Sequence, residues 1–450
     1  MIQTIRNAWK VPELRSKLLF TVFALLIFRL GAAIPVPFID TLQLKAHMTA
    51  QSASIFSLLN VMSGDAFAQA TVFALSIQPY INSSIIIQLL TIAIPALERL
   101  QKEGGEEGKK KLASITRYAT VAIALIQAFG YYTMIRTTNS GALLDTAGLP
   151  GWWAAIVIVL CFTAGSAFVM WLGEQITEFG IGNGISIILF AGIVARGPNM
   201  VYSIYNGVAG WASGATGDTV ARLHPAFIPL ILVGMLALVA FIVFITDAER
   251  RIPVQYAKRV VGRKMYGGQS SHIPIKVNMS GVLPIIFAQA IASIPATIGM
   301  FIPSAQVEGS GWHTFLDIFD TRGLVYGIVY FLLIILFSYF YNTVQFNPVE
   351  VSNNLKKNGG FIPGFRPGKP TSDFLSKVIS RITMFGAIYL GIVALLPTIT
   401  GNIMVALGSN VGQGLAIGGT SIIIVVGVAL ETVKALEAQL MMRHYKGFLE

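Results

Sequence analysis

Hydrophobic residues in this chain recur in long runs that short polar segments separate. Ten of these runs are each about 20 residues long, which is enough for an α-helix to cross a hydrocarbon core of about 30 Å. Continuous apolar runs of this length are typical of membrane-spanning helices. The predicted spans are 18–37, 71–96, 116–136, 153–173, 183–204, 226–246, 279–302, 324–345, 381–399 and 412–433.

The composition agrees with this pattern. Of the 450 residues, 54% are hydrophobic and only 12% are charged, whereas soluble chains are usually about 45–50% apolar and about 25% charged. The first run contains Arg29, and no small-residue cleavage pattern follows it. We therefore interpret this run as a retained span and not as a removed signal peptide. The sequence predicts an integral, multi-pass membrane protein.

The basic residues are unevenly distributed among the segments that link the spans. Of the 32 lysines and arginines, 26 lie in the amino terminus, in 98–117, 247–276 and 346–381, and after the last span. The positive-inside rule places such segments in the cytoplasm. We therefore expect a protein of the cytoplasmic membrane with both termini cytoplasmic. Most of the net charge of +11 follows from this topology, so direct nucleic-acid binding is the weaker explanation.

Ten spans divide into two groups of five. Because five is odd, the second group enters the membrane from the opposite side, which produces an inverted repeat. The predicted fold class is an all-α polytopic membrane protein with two inverted five-helix halves, 1–205 and 206–450. In such folds the functional site tends to lie where corresponding helices of the two halves are interrupted.

Two pairs of corresponding spans carry polar or glycine-rich stretches. Span 2 contains "SIQPYINSSIIIQLL" (76–90), and span 7 contains "SGVLPIIFAQAIASIPATI" (280–298). Spans 5 and 10 begin with "GIGNGISIILFAG" (180–192) and "GQGLAIGGTSIIIVVG" (412–427). Both openings place glycines and a small hydroxyl residue before a β-branched run.

These stretches contain groups that lipid cannot satisfy. Amide side chains are costly against lipid, and each proline is expected to remove one backbone hydrogen bond. For a single helix, ordinary hydrogen bonding between packed helices is the better explanation. Four helices matched across a repeat favour instead a wet or openable interior that they enclose. The residues concerned are Asn82, Gln88, Gln289, Pro79, Pro284 and Pro295.

The predicted interior is polar but almost uncharged. Asp and Glu are absent from the middles of the spans, and we expect Arg29 and Arg196 to lie near the interface, where arginine side chains snorkel. Ion-coupled transporters normally keep buried carboxylates. The pattern therefore favours a passive conduit driven from elsewhere, and an inverted-repeat secondary transporter is the alternative.

Motifs for catalysis and metal binding are also missing from the sequence. It contains no GxSxG, no HExxH and no paired intramembrane aspartates, and its single cysteine, Cys161, lies inside an apolar run. The glycine-rich "GIGNGIS" does not follow a strand, so it is a weak nucleotide-binding signal. We expect no enzyme activity, no metal and no cofactor.

A short segment before span 2 has apolar residues at helical spacing but cannot span a membrane. It runs over about 55–69, and Gly64 and Asp65 indicate a break before span 2. An amphipathic helix on the membrane surface would have the same pattern. A short helix that folds back into the bundle is the more specific hypothesis.

Two of the basic loops have features that topology alone does not require. Segment 247–276 alternates apolar and polar residues, which predicts a protruding β-hairpin with a turn at Gly262-Arg263-Lys264. In segment 346–370, Arg366 lies between Pro363-Gly364 and Pro367-Gly368. This frame restricts the backbone and presents the side chain. An acidic protein partner or ribosomal RNA phosphates would fit both loops.

Several long motifs, in order, resemble the bacterial SecY family over essentially the whole chain. They are "IQPYINSSIIIQLL", "MWLGEQITEFGIGNGISII", "YAKRVVGRKMYGGQSSHIPIKVNMSGVLPIIFA", "FNPVEVSNNLKKNGGFIPGFRPG" and "GGTSIIIVV". The resemblance implies an hourglass channel that passes unfolded secretory polypeptides and releases membrane segments sideways into lipid. It also implies two halves hinged between spans 5 and 6.

The resemblance further implies roles for particular residues. A ring of aliphatic side chains would form the waist at Ile77, Ile81, Leu189, Ile286 and Ile424, with leucine at 189 where the family pattern has isoleucine. The short helix at 55–69 would be a plug, with residues Phe56, Leu59, Asn60, Met62, Ser63 and Gly64. Spans 2 and 7, with 3 and 8, would form a lateral gate that carries Asn82, Gln88 and Gln289.

The resemblance also implies partners. The basic residues of the loops would contact the SecA ATPase or the ribosome, and they are Lys258, Arg259, Arg263, Lys264 and Arg366. The small membrane subunits SecE and SecG would complete the complex in the lipid bilayer, and its substrates would be polypeptides that bear signal sequences.

Overall fold

The computed structural model is a helical bundle that carries a small sheet at one end. It describes residues 2–50, 60, 63–102, 104–137, 144, 150–213, 225, 227–256, 259–261, 264–266, 270–279, 281–302, 310–319, 323–406 and 419–446. The helices of the first part of the chain are α1 (Ile2–Lys10), α2 (Pro12–Gly31), α3 (Thr41–Ala50), α4 (Gln78–Ala93), α5 (Pro95–Lys102), α6 (Gly105–Thr137), α7 (Gly151–Phe179), α8 (Gly184–Ala195), α9 (Gly197–Ala212) and α10 (Phe227–Asp247). Those that follow are α11 (Leu283–Ala292), α12 (Ile294–Gly299), α13 (Gly311–Ile318), α14 (Leu324–Gln345), α15 (Pro348–Lys357), α16 (Lys369–Ala406) and α17 (Gly419–Lys446).

Each predicted span overlaps at least one of these helices. Among the described residues, six helices are long and apolar enough to cross a membrane, and the bent pair α4–α5 makes a seventh candidate. The remaining predicted spans coincide with α2, with the short helices α11 and α12, and with α17. The chain is therefore a multi-pass, mainly helical membrane protein, as the sequence predicts.

In spans 1, 2 and 7, part of the predicted span is not helical or the helix is bent or divided. Residues 71–77 of span 2 form turns, and α4 begins only at Gln78. At its other end, α4 and α5 are bent by 105° at Pro95, because proline cannot continue the hydrogen-bond ladder. The helix of span 1, α2, ends at Gly31, shortly before Pro35 and Pro37. Span 7 is divided at Ser293 into α11 and α12.

The prolines of spans 2 and 7 do not have the effect predicted for them. Pro79 and Pro284 lie in the first turn of α4 and of α11, where the backbone N–H would have no partner within the helix in any case. Pro295 is the second residue of α12. These prolines therefore mark the beginnings of helices and do not interrupt them.

The helices form two sets that pack mainly among themselves. In the first set, α2, α4, α6, α7 and α8 contact one another; in the second, α10, α11, α14, α16 and α17 do so. Extensive contacts between the sets join α4 to α11, α8 to α17, α1 to α17 and α6 to α12. The largest apolar cluster contains residues of both sets and lies between them.

Five strands form the cap at one end of the bundle. They are β1 (Glu249–Tyr256), β2 (Arg259–Val261), β3 (Lys264–Tyr266), β4 (Ser270–Lys276) and β5 (Gly360–Phe361). β1 pairs antiparallel with β4 and β2 with β3, which confirms the predicted hairpin. Lys264 was predicted to lie in the turn, but it is the first residue of β3 and pairs with Val261; Gly262 and Arg263 lie outside the described residues. β5 pairs with the other edge of β1, giving the order β4-β1-β5.

Candidate functional site

The five aliphatic residues predicted for the waist are all buried within the large apolar cluster, and we call them the collar. None is more than 3% exposed, and all belong to the same packed cluster. They come from both sets of helices, since α4 and α8 belong to the first set and α11 and α17 to the second. The collar consists of Ile77, Ile81, Leu189, Ile286 and Ile424.

Each collar residue lies at or near the beginning of a helix. Ile77 is the N-cap residue of α4, and Ile81 follows in the first turn and a half. Leu189 and Ile424 lie in the first two turns of α8 and α17. The Asn183 side chain fixes the start of α8 because its Oδ1 accepts hydrogen bonds from the backbone N–H groups of Ile185, at 3.0 Å, and Ser186, at 3.4 Å. The collar is thus built from helix ends.

The contact between α4 and α11, which we call the seam, is poorly supplied with hydrogen bonds. Gln78 Nε2 donates to Ser293 Oγ at 3.2 Å, and Ser293 Oγ donates to the Ala290 carbonyl at 2.7 Å. The side-chain carbonyl oxygens of Gln78 and Gln289 are buried and accept no hydrogen bond from the described part of the chain. Each such oxygen costs about 1–3 kcal/mol, so these two groups oppose the apolar packing that closes the seam.

On the side of α4 that faces α6, unlike at the seam, a fully buried side chain forms a short hydrogen bond to the neighbouring helix. Ser83 is fully buried, and its Oγ donates to the Thr116 carbonyl at 2.8 Å. Gln88 is half-buried, and its Nε2 approaches Ser84 Oγ of the same helix at 3.4 Å. Asn82 is also half-buried on α4. The sequence analysis missed Gln78 and Ser293 as partners across the seam, although both lie in the polar stretches that it selected.

A small cavity of about 20 Å³ lies beside the collar and the seam. It is bounded by Ile77 and Leu189 of the collar, by Gln78, and by polar groups of neighbouring helices such as Gln127 and Thr297. Ser63 and Phe67 close it on the remaining side. The cavity therefore connects the collar, the seam and the segment that precedes α4.

The segment 60–77 folds back into the bundle through a series of turns. Asn60 is helical, 63–70 form turns, and Gly64, Asp65, Ala70 and Ser76 all have positive φ. Ser63 is 2% exposed, and Phe67 is 1% exposed. Of the predicted plug residues, Phe56, Leu59 and Met62 lie outside the described residues. Residues 55–59 and 61–62 of the predicted short helix lie there too, and the prediction is wrong for 63–69, which form turns and not a helix.

The two parts of this segment are attached differently. Residues 70–72 pair with the loop after α2, since the Val36 N–H donates to the Ala70 carbonyl at 3.0 Å and the Val72 N–H to the Ile34 carbonyl at 2.9 Å. Among the described residues, Asn60 and 63–69 are held to the rest of the bundle through side chains instead. The Phe67 ring stacks on Tyr131 with centroids 4.4 Å apart, and the Tyr131 hydroxyl donates to the Phe67 carbonyl.

At the sheet end, the structure brings the two predicted basic loops together. Ile252, Val254 and Ile275 of the hairpin pack with Leu355 and Leu375 in one apolar cluster. This packing places the 360–368 turn beside β1.

Arg366 is exposed at the tip of that turn. Its carbonyl accepts a hydrogen bond from Thr371 Oγ1 at 2.8 Å. Arg259 and Lys264 lie in β2 and β3, while Lys258 and Arg263 fall outside the described residues.

The sequence profile of the SecY family matches residues 71–433. The chain belongs to the SecY family. It is 45% identical over 460 residues to a protein translocase subunit SecY of Streptomyces coelicolor and 43% identical over 462 residues to one of Mycobacterium tuberculosis. Each alignment covers 100% of both chains.

Solved structures show the same fold. A protein-conducting channel matches this SecY-family chain with a TM-score of 0.63 at 17% identity, over 96% of each chain. The Sec61 channel of a canine ribosome–channel complex from the endoplasmic reticulum matches with a TM-score of 0.61 at 17% identity, also over 96% of each chain.

Proposed function

We propose that this chain is the channel subunit of a protein translocase and conducts unfolded secretory polypeptides across the cytoplasmic membrane. The collar is the observation that carries the proposal, because it gathers five buried aliphatic side chains from both sets of helices. An apolar constriction excludes water and ions by dewetting. Aliphatic side chains can also move aside for a passing chain without binding it. Full-length identity of 45% to a translocase subunit supports the same conclusion.

The proposed channel consists of two halves, 1–205 and 206–450, with a lateral gate between them. α4 and α6 would form one side of this gate, and α11 and α14 the other. The weakly bonded seam supports this role, since parting α4 from α11 breaks few hydrogen bonds and exposes oxygens that have no partner in the described chain. Asn82, Gln88 and Gln289 would meet the passing polypeptide there, and its membrane segments would leave through the gate into lipid.

Residues 60–69 would form the movable part of the plug. Their side-chain contacts can be exchanged, whereas the backbone pairing of 70–72 with 34–36 provides a fixed attachment. Ser63 and Phe67 border the cavity next to Ile77 and Leu189. A plug in this position closes the resting channel and is displaced when a polypeptide enters.

The energy for transport would come from outside the chain, because the spans hold no carboxylate in their middles. We infer that the cytoplasmic sheet and the Arg366 turn bind the SecA ATPase or the ribosome. SecE and SecG would accompany the chain in the membrane, and both termini would be cytoplasmic.

Reconstitution tests the proposal directly. The purified chain is placed in lipid vesicles together with SecE, and SecA, ATP and a labelled secretory precursor are added outside. We expect the precursor to become protected from protease, and we expect no protection without ATP or when the signal sequence is deleted. Equal protection in vesicles that lack the chain would refute the channel function. ATP-independent accumulation of small solutes would support the secondary-transporter alternative.

A further inference from the structure

One carboxylate in the 60–77 segment gathers three polar partners. Asp65 Oδ1 lies 3.1 Å from Arg196 Nε and accepts a hydrogen bond from Asn60 Nδ2 at 2.9 Å. Asp65 Oδ2 accepts from Asn199 Nδ2 at 2.8 Å. The sequence analysis predicted Arg196 near the interface as a snorkelling residue, and the structure shows in addition that it pairs with Asp65.

Two of the three partners, Arg196 and Asn199, come from a break between two helices. α8 ends at Ala195 and α9 begins at Gly197, so the Arg196 side chain projects from the junction. The side chains of Arg196 and Asp65 are only 28% and 17% exposed. Partial burial strengthens such a pair relative to a surface salt bridge, and charged hydrogen bonds are stronger than neutral ones.

The backbone around Asp65 fits closely against α8. Gly64 has φ +66°, and a Cβ added there would lie 2.7 Å from the Gly192 carbonyl oxygen. Asp65 follows with φ 71°, a conformation that Asp and Asn tolerate better than most residues. Asn60 Oδ1 accepts a hydrogen bond from the Ala68 N–H at 2.9 Å. Asn60 therefore ties both ends of the 60–68 loop to the Asp65 carboxylate.

We propose that Arg196 and Asn199 are positioning residues that hold Asp65, and through it residues 60–69, against the α8–α9 junction. This inference rests on the proposed plug and channel. All of its residues belong to 1–205, so opening the seam between α4 and α11 does not break these contacts. The carboxylate contact and the seam are therefore two separate restraints on channel opening, and a polypeptide must overcome both.

The test is a double-mutant cycle read out as resting ion conductance in planar bilayers. Asp65→Asn removes the negative charge, and asparagine tolerates the positive φ at this position. Arg196→Gln removes the positive charge. Each single variant should raise the frequency of spontaneous openings about tenfold, which corresponds to about 1.4 kcal/mol. The double variant should be no leakier than either single one, because the two residues act through one contact. Arg196→Lys should remain close to the unsubstituted protein.

The control is Lys434→Gln, which removes the ion pair between Lys434 and Asp247 on α17 and α10 and should leave the conductance unchanged. Thermal melting of every variant shows whether it is folded. Unchanged conductance in both single variants would overturn the inference, as would additive effects in the double variant. Vesicle translocation by the unsubstituted protein is measured in parallel: if it fails, the proposed channel function is refuted; if it succeeds while the cycle is additive, only this inference is refuted.

Discussion

Replacement of Gln78 by methionine should make the channel harder to open. Gln78 is 6% exposed and donates one hydrogen bond across the seam. Its side-chain oxygen accepts no hydrogen bond from the described residues. Methionine has a similar length and no polar group. The substitution therefore removes both the hydrogen bond to Ser293, which stabilises the closed seam, and the unpaired oxygen, which destabilises it.

The size of these two contributions decides whether the substitution stabilises or destabilises the closed seam. Loss of the bond to Ser293 costs about 0.5–1.5 kcal/mol, and removal of a buried oxygen without a partner recovers about 1–3 kcal/mol. Ser293 Oγ keeps its bond to the Ala290 carbonyl, so the substitution leaves no new unpaired donor. The closed seam should gain on the order of 1 kcal/mol, which lowers the open fraction about fivefold.

The assay is precursor translocation into vesicles with two signal sequences that differ only in hydrophobicity. We expect Gln78→Met to reduce translocation of the precursor with the weakly hydrophobic signal several-fold and to affect the strongly hydrophobic one little. Gln101→Met, at an exposed position of α5, is the matched control and should behave as the unsubstituted protein. Equal or faster translocation with the weak signal would show that the unpaired oxygen does not destabilise the closed seam.

Three further predictions concern other parts of the molecule. Ile286→Asn, combined with Ile81→Asn, should raise the resting conductance in planar bilayers because polar side chains stabilise water in the collar; an unchanged baseline would argue against an apolar seal. Arg366→Glu should abolish SecA-driven translocation while membrane insertion, measured by carbonate extraction, stays normal; normal translocation would exclude Arg366 from docking. Gly165→Ala places a Cβ 1.9 Å from the Val72 carbonyl oxygen and should destabilise the fold by about 1–3 kcal/mol through overpacking, measured as a lower Tm; an unchanged Tm would mean that 70–77 can shift at no cost.

Much of this fold could be predicted from local patterns. Each predicted apolar run overlaps at least one helix of the described residues, and alternation in 247–276 predicted the hairpin, because both periods follow directly from backbone geometry. The collar residues were predicted by family resemblance and not by periodicity. Within the apolar runs, the sequence does not distinguish a residue that faces lipid from one that faces the centre.

The features that could not be predicted depend on distant parts of the chain. Residues 71–77 continue an apolar run and so were expected to be helical, but Thr71 and Val72 pair with the loop at 34–36 and the residues that follow form turns. The sequence analysis noted Asp65 and Arg196 for separate reasons, and only the packing of Gly64 and Asp65 against the α8–α9 junction shows that they are partners. Pairing of β5 with β1 likewise joins loops that are about a hundred residues apart.

This last pairing has a mechanical consequence. β1 follows directly from α10, and β4 leads within a few residues into α11, with the Val277 N–H and the Ala248 carbonyl hydrogen-bonded at 2.9 Å across the base of the hairpin. A load applied at the 360–368 turn is therefore transmitted through β5 and β1 to the end of α10 and the beginning of α11. We expect a protein that binds either loop to be coupled mechanically, through the sheet, to α11.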